Sequence, residues 1–120
     1  MTLRAIHHVQ LAMPAGEEVR AAEFYVAVLG FVQVPKPPHL AGRGGCWFEA
    51  DGVRVHLGVE PDFRPAKKAH PALVVDDLDA LTRRCADAGI EVRDGDGLDG
   101  YDQAYVDDPF GNRIELLEAQ

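Results

Sequence analysis

Cysteine is scarce in this chain, and its two copies, Cys46 and Cys85, lie far apart with no C-x-x-C spacing. That excludes a disulfide framework and a thiolate zinc site, and it leaves both residues as reduced, packed thiols. Positive charge is also in short supply. Twelve Lys and Arg face 20 Asp and Glu for a formal charge of -8, and the densest basic spot is the pair Lys67 and Lys68. Such a surface repels a phosphate backbone, so nucleic acid is excluded as a partner. No apolar run approaches membrane-spanning length, and the N-terminus lacks a signal pattern. A soluble, cytoplasmic protein without a membrane partner is therefore expected. The chain does have hydrophobic residues, at 47% of its 120 positions, enough for one compact domain over 1–120 with a real core.

It also contains a repeat. The segment GVRVHLGVE, from Gly52 to Glu60, superimposes on GNRIELLEA, from Gly111 to Ala119, with glycine, arginine and a β-branched residue in register. His56 then falls on Glu115. Just upstream, WFEADG matches YVDDPFG as an aromatic strand end, an acidic turn and a glycine, with one extra turn residue in the second copy. Each copy reads as a hairpin. HVQLAM from His8 likewise corresponds to HPALVV from His70.

A helical stretch follows each of these strands. In EEVRAAEFYVAVLGF the apolar stripe comprises Val19, Ala22, Phe24, Tyr25, Val28 and Leu29, with Gly30 as a left-handed cap. In DDLDALTRRCADAGI it comprises Leu78, Leu81, Cys85 and Ala88, with Gly89 as the cap and Asp76, Asp77 and Asp79 favouring the N-terminus. Short strands, FVQV and IEV, come next. The order predicts an α+β fold of two βαβββ repeats, about 1–62 and 63–120, forming a curved mixed sheet with loops at Pro35–Gly45 and Asp94–Asp102. One four-stranded unit leaves an open face and open edges, so two units pair or dimerise and frame a cleft.

The repeat assigns faces to the histidines, because strand side chains alternate. Val9, Leu11 and Met13 pack beneath the first helix, which turns His8 and Gln10 to the concave side. Pro71, Leu73 and Val75 take the helix side in the second copy and leave His70 and Ala72 concave. His56 and Glu115 share the concave parity of the last strands. Two repeat-related pairs result, His8 with His70 and His56 with Glu115. Imidazole nitrogens and a carboxylate suit one divalent ion such as Zn, Ni, Co, Mn or Fe. An ion open on one side polarises vicinal substrate oxygens or acidifies a bound water. His7 is read as a surface or helix-packing residue, and His39 lies in a Pro/Gly-rich loop without a repeat partner.

The stretches HHVQLAM, FYVAVLGF, VHLGVE, AHPALVVDDLDAL and VDDPFGNRIELLE together resemble the vicinal oxygen chelate superfamily, over essentially the full chain. That superfamily includes glyoxalase I, bleomycin-resistance proteins, fosfomycin-resistance enzymes and extradiol dioxygenases. The resemblance puts the family's metal ligands on His8, His56, His70 and Glu115. Bacterial glyoxalase I has a glutamate where His56 stands, so this set carries one carboxylate fewer. The resemblance implies a glyoxalase-like lyase or isomerase chemistry in which Glu115 shuttles the proton, on a small substrate that chelates the metal. Extradiol dioxygenases use two histidines and a glutamate, which His8, His70 and Glu115 supply. Bleomycin-resistance proteins share the fold, often lack the ligands and sequester a drug. Small members form homodimers with sites shared between chains, which would join His8 and His56 of one chain to His70 and Glu115 of the other.

Substrate contacts are expected from Arg43, Phe48, Tyr101 and Tyr105. Phe48 and Tyr105, like Trp47, stand on strands before the turns. Arg43 sits in AGRGG as a candidate for an anionic substrate group, as do Arg64, Lys67 and Lys68 in FRPAKKAH. The acidic, glycine-rich stretch RDGDGLDGYDQ lacks the spacing of a calcium loop and reads as a lid or turn carrying Tyr101.

Overall fold

In the computed structural model, residues 1–120 are all described. The chain divides into two compact units, Met1–Arg64 and Pro65–Gln120. The first comprises β1 (Val9–Met13), α1 (Glu18–Tyr25), β2 (Val32–Val34), α2 (Pro38–Ala41), β3 (Cys46–Ala50) and β4 (Val53–Val59). The second comprises β5 (Ala72–Val74), α3 (Leu78–Asp87), β6 (Arg93–Asp94), β7 (Tyr101–Asp107) and β8 (Arg113–Ala119). Each unit is one four-stranded mixed sheet, in the orders β1-β4-β3-β2 and β5-β8-β7-β6. The first strand of each unit runs parallel to its last, and the other neighbours are antiparallel. Parallel neighbours require a crossover, which the helix and the intervening strands supply. The α+β class and the βαβββ order are those expected.

The first unit has an aromatic core. Tyr25 stacks on Phe48 at 5.1 Å between ring centroids, Phe24 meets Tyr25 edge-on at 5.0 Å, and Leu11 and Met13 lie beneath them. The helical stripe differs from the periodic reading: Ala21 is buried and Val19 is 74% exposed. After Tyr25 the backbone leaves regular α geometry, with Ala27 N–H donating to Ala22 O and Leu29 N–H to Phe24 O. These bonds span five residues rather than four, which widens the turn, and Val28 and Phe31 beyond Tyr25 are both buried. In the second unit Leu78, Leu81 and Cys85 are buried as expected, while Ala88 is exposed. Asp77 caps α3, its carboxylate accepting from Ala80 N–H at 2.9 Å. Both predicted cap glycines, Gly30 and Gly89, have positive φ.

The two hairpins differ as the extra residue requires. Ala50 pairs with Val53 around a two-residue turn, Asp51-Gly52, with positive φ at both positions. In the second copy Asp108 N–H donates to Asn112 O across Pro109, Phe110 and Gly111. The Asp108 carboxylate accepts from the N–H groups of Phe110 and Asn112, each at 2.9 Å, and from the Asn112 side-chain amide at 2.9 Å. Asn112 Oδ1 accepts from Ala66 N–H at 2.9 Å, and Arg113 N–H donates to Ala66 O, so the DPFGNR stretch ties the unit's opening segment to β8. Of the two predicted loops, Pro35–Gly45 contains α2, and 94–102 is shorter than expected because Tyr101 and Asp102 already belong to β7.

Candidate functional site

In each unit the last strand carries one polar residue whose neighbours are core. Val55 and Leu57 face the helix side and are buried, which turns His56 to the other face of β4. There it registers with Gln10 on β1 and Trp47 on β3. Its ring stacks on Trp47 at 4.0 Å with 3° between planes, and on His8 at 4.2 Å with 18°. His56 is 4% exposed. Burial first, then the neighbouring His8 and His7, lower its pKa from the ordinary histidine value. The imidazole is therefore neutral near pH 7, the form that ligates metals. His7 is exposed and is not a helix-packing residue; its Nδ1 lies 2.9 Å from His8 Nδ1.

The second unit repeats the plan. Ile114 and Leu116 are buried on the helix side, so Glu115 faces the other way, in register with Ala72 and Tyr105. The carboxylate is 8% exposed and gathers donors. Gln103 Nε2 donates to Oε2 at 2.7 Å and Tyr105 OH to Oε1 at 3.4 Å, while His70 Nε2 stands 2.9 Å from Oε1. Burial pushes the Glu115 pKa up, but hydrogen bonds from Gln103 and His70, the His70 charge and the Tyr105 hydroxyl outweigh it and hold the group below its ordinary value. Burial, then the Glu115 charge and hydrogen bond, raise the Tyr105 phenol.

The His70 ring decides what this pair can hold. Its Nδ1 lies 2.8 Å from the Lys68 carbonyl, which only accepts, so Nδ1 carries a proton. In a neutral ring Nε2 is then a lone pair aimed at a carboxylate oxygen. Two acceptors at that distance require a cation between them, either a proton on Nε2 or a metal ion. A backbone carbonyl on the far nitrogen is also the usual way a ligating histidine is oriented. The residues therefore fit a divalent metal. Within either unit no cluster of three or more His, Cys, Asp or Glu converges on one point. Each unit offers a pair.

The remaining expected contacts divide. Tyr105 lies beside Glu115 and meets the His70 ring edge-on at 5.6 Å. Phe48 is a correction: it is 0% exposed, stacked on Tyr25, and has the parity of Val55 rather than His56. The adjacent Trp47 has the His56 parity and makes the aromatic contact. Arg43 is exposed, just beyond α2. Tyr101 opens β7 and lines a cavity of about 550 Å³ against Leu78 and Thr82 of α3. Lys67 is engaged with Asp107 at 3.7 Å. Gln103 was missed by sequence reasoning; its one signal is that it shares strand parity with Tyr101 and Tyr105. Both thiols are buried and inert, and Cys46 is pushed up to about 11 by burial and by Glu18.

Residues 5–116 match the family model of the Glyoxalase/Bleomycin resistance protein/Dioxygenase superfamily. The chain belongs to this superfamily. Among solved structures, a glyoxalase family protein from Bacillus anthracis is 43% identical, with a TM-score of 0.95, covering 100% of this chain and 98% of that one. TnmS3, an antibiotic binding protein from Streptomyces sp. CB03234, is 27% identical with a TM-score of 0.74, covering 98% and 100%. FosX, a fosfomycin resistance protein from Listeria monocytogenes, shares the fold at 14% identity and a TM-score of 0.76, covering 99% and 96%. Among curated proteins none matches the chain. This superfamily member thus presents a His–His pair and a His–Glu pair at repeat-related positions of its two units.

Proposed function

We propose that this protein is a metal-dependent enzyme of the glyoxalase type, acting by proton transfer on a small substrate that chelates the metal through adjacent oxygens. The ligands are His8, His56, His70 and Glu115, and the pairs unite in a homodimer, His8 and His56 of one chain with His70 and Glu115 of the other. The observation that carries this reading is the placement of the His70 ring: its Nδ1 is committed to the Lys68 carbonyl while its Nε2 faces Glu115 Oε1. Bound there, a Zn, Ni, Co, Mn or Fe ion supplies Lewis-acid polarisation of the substrate oxygens.

The chain's own residues do the rest. His56, kept neutral by burial, offers its lone pair at neutral pH. Glu115, held ionised by its donors, is the base that takes the substrate proton and returns it. Tyr105 OH donates to the same carboxylate oxygen and orients it toward His70. Arg43, just beyond α2, and Tyr101, at the start of β7, contact substrate.

Elemental analysis of the purified protein beside His70→Ala tests the ligand set. About one divalent ion per chain in wild type, lost in the variant, supports it; a wild type that cannot be loaded refutes it. The likeness to TnmS3 favours a second reading, sequestration of a small drug with His56 and Trp47 as an aromatic platform. A sequestering protein keeps its ligand affinity after chelation and after Glu115→Gln; an enzyme loses activity on both.

A further inference from the structure

Glu115 is held from behind by a side chain that is itself clamped. Gln103 Nε2 donates to Glu115 Oε2 at 2.7 Å, and Gln103 Oε1 accepts from Gly97 N–H at 2.9 Å. The two neighbours set the amide orientation, because a backbone N–H only donates and a carboxylate only accepts. The loop between β6 and β7 presses on this amide. A Cβ at Gly95 would stand 2.1 Å from Gln103 Oε1 and 2.9 Å from Tyr105 Cε2, so no residue but glycine fits there without displacing Gln103. The contact leaves the two carboxylate oxygens unequal: Oε2 is occupied by Gln103, and Oε1 is the one facing His70.

We propose that Gln103 is a positioning residue that couples the 95–100 loop to Glu115, fixing the carboxylate so that Oε1 alone is presented with His70. The inference rests on the metal-site reading for its consequence, since a fixed single oxygen makes Glu115 a one-oxygen ligand. The coupling itself does not depend on metal. Gly95 and Gly97 serve the same device, one by leaving room for the amide and the other by supplying its donor. The loop is thus a rear support of the site, and its hydrogen-bonded route to the carboxylate runs through Gln103.

Two measurements on the intact chain separate the possibilities. Amide exchange followed by NMR reads the loop: Gly97 N–H is slowed in wild type, and both Gln103→Ala and Glu115→Ala speed its exchange by about fivefold, the worth of one hydrogen bond. Unchanged Gly97 exchange in Glu115→Ala overturns the coupling. Competition of Co(II) against a chromogenic chelator reads the site: Gln103→Ala weakens binding by roughly 10–100-fold, as loss of an outer support does. Gly95→Ala weakens binding similarly, and in the Gly95→Ala/Gln103→Ala double variant the two losses are less than additive, because the closest clash, with the amide, has no target once Gln103 is gone. Additive losses, or Co(II) affinity unaltered in Gln103→Ala, sink the positioning role while leaving the metal site intact. A wild type that binds no Co(II) but whose Gly97 exchange still responds to Glu115→Ala removes the metal reading and supports the coupling. Thermal melting of each variant verifies that it is folded.

Discussion

His70 Nε2 lies 2.9 Å from Glu115 Oε1, while His70 Nδ1 lies 2.8 Å from the Lys68 carbonyl. One ring thus joins the segment that enters β5 to the middle of β8. Both residues are largely shielded from water, so the contact is worth more than an exposed ion pair.

His70→Ala leaves the Glu115 carboxylate buried without one of its donors. The expected cost is about 1–3 kcal/mol of unfolding free energy, read from urea titrations of metal-free protein. Glu115→Gln keeps the shape of the side chain but turns an acceptor into a possible donor, which sets it against the Gln103 and Tyr105 donors and costs a similar amount. Unaltered urea midpoints in both variants contradict this account.

The Asp108–Asn112 turn depends on Asn112, which is 0% exposed and hydrogen-bonded at both ends of its amide. Asn112→Ala strands the Ala66 N–H and removes one donor from the Asp108 carboxylate, and the expected loss is about 3 kcal/mol. Asn112→Asp also sets a second carboxylate against Asp108. Thermal and urea unfolding check both variants; a neutral Asn112→Ala shows that the turn does not rely on this amide.

How far the site could be read from sequence depended on what the repeat constrains. A shared register over Gly52–Glu60 and Gly111–Ala119 is enough to put His56 and Glu115 on equivalent positions, since strand alternation follows from covalent geometry alone. The same alternation, when neighbouring aromatics are both apolar, does not say which faces inward, and Phe48 rather than Trp47 went to the core. Val19 lies outside the helical stripe because the buried positions are Ala21, Phe24, Tyr25 and Val28, a register of regular helical period that alanine's weak hydrophobicity hides in the sequence. Gln103 was illegible for a different reason: its role arises where a loop backbone at Gly95 meets it, a contact set by three-dimensional approach.

The Cys46 thiol has a pH consequence. Burial, then the Glu18 carboxylate, raise its pKa from 9.0 to about 11, against a smaller opposing effect of Lys36. A raised folded-state value means the stabilisation is fully present below the ordinary thiol pKa and is lost as pH rises from about 9 through 11, on the order of 2–3 kcal/mol. The stability difference between wild type and Cys46→Ala should therefore be constant up to about pH 8.5 and shrink above it. A thiol reagent at pH 8 should modify Cys46 only as the protein unfolds. Rapid labelling of the native protein contradicts the burial argument.

Trp47 offers a direct reading of whether the two pairs hold one ion. It is the only tryptophan in the chain, and its ring lies 4.0 Å from that of His56. A paramagnetic ion such as Co(II) on His56 should quench its fluorescence in a saturable way, and His56→Ala should abolish the response. His70 belongs to the other unit. If each pair binds metal separately, His70→Ala leaves the Trp47 quenching curve unchanged. If His8, His56, His70 and Glu115 share one ion, His70→Ala weakens the Trp47 response by at least about tenfold, as removal of one ligand demands. Mixing His70→Ala with His56→Ala chains extends the test, because sites shared across a dimer restore one complete ligand set in each heterodimer, and with it part of the quenching.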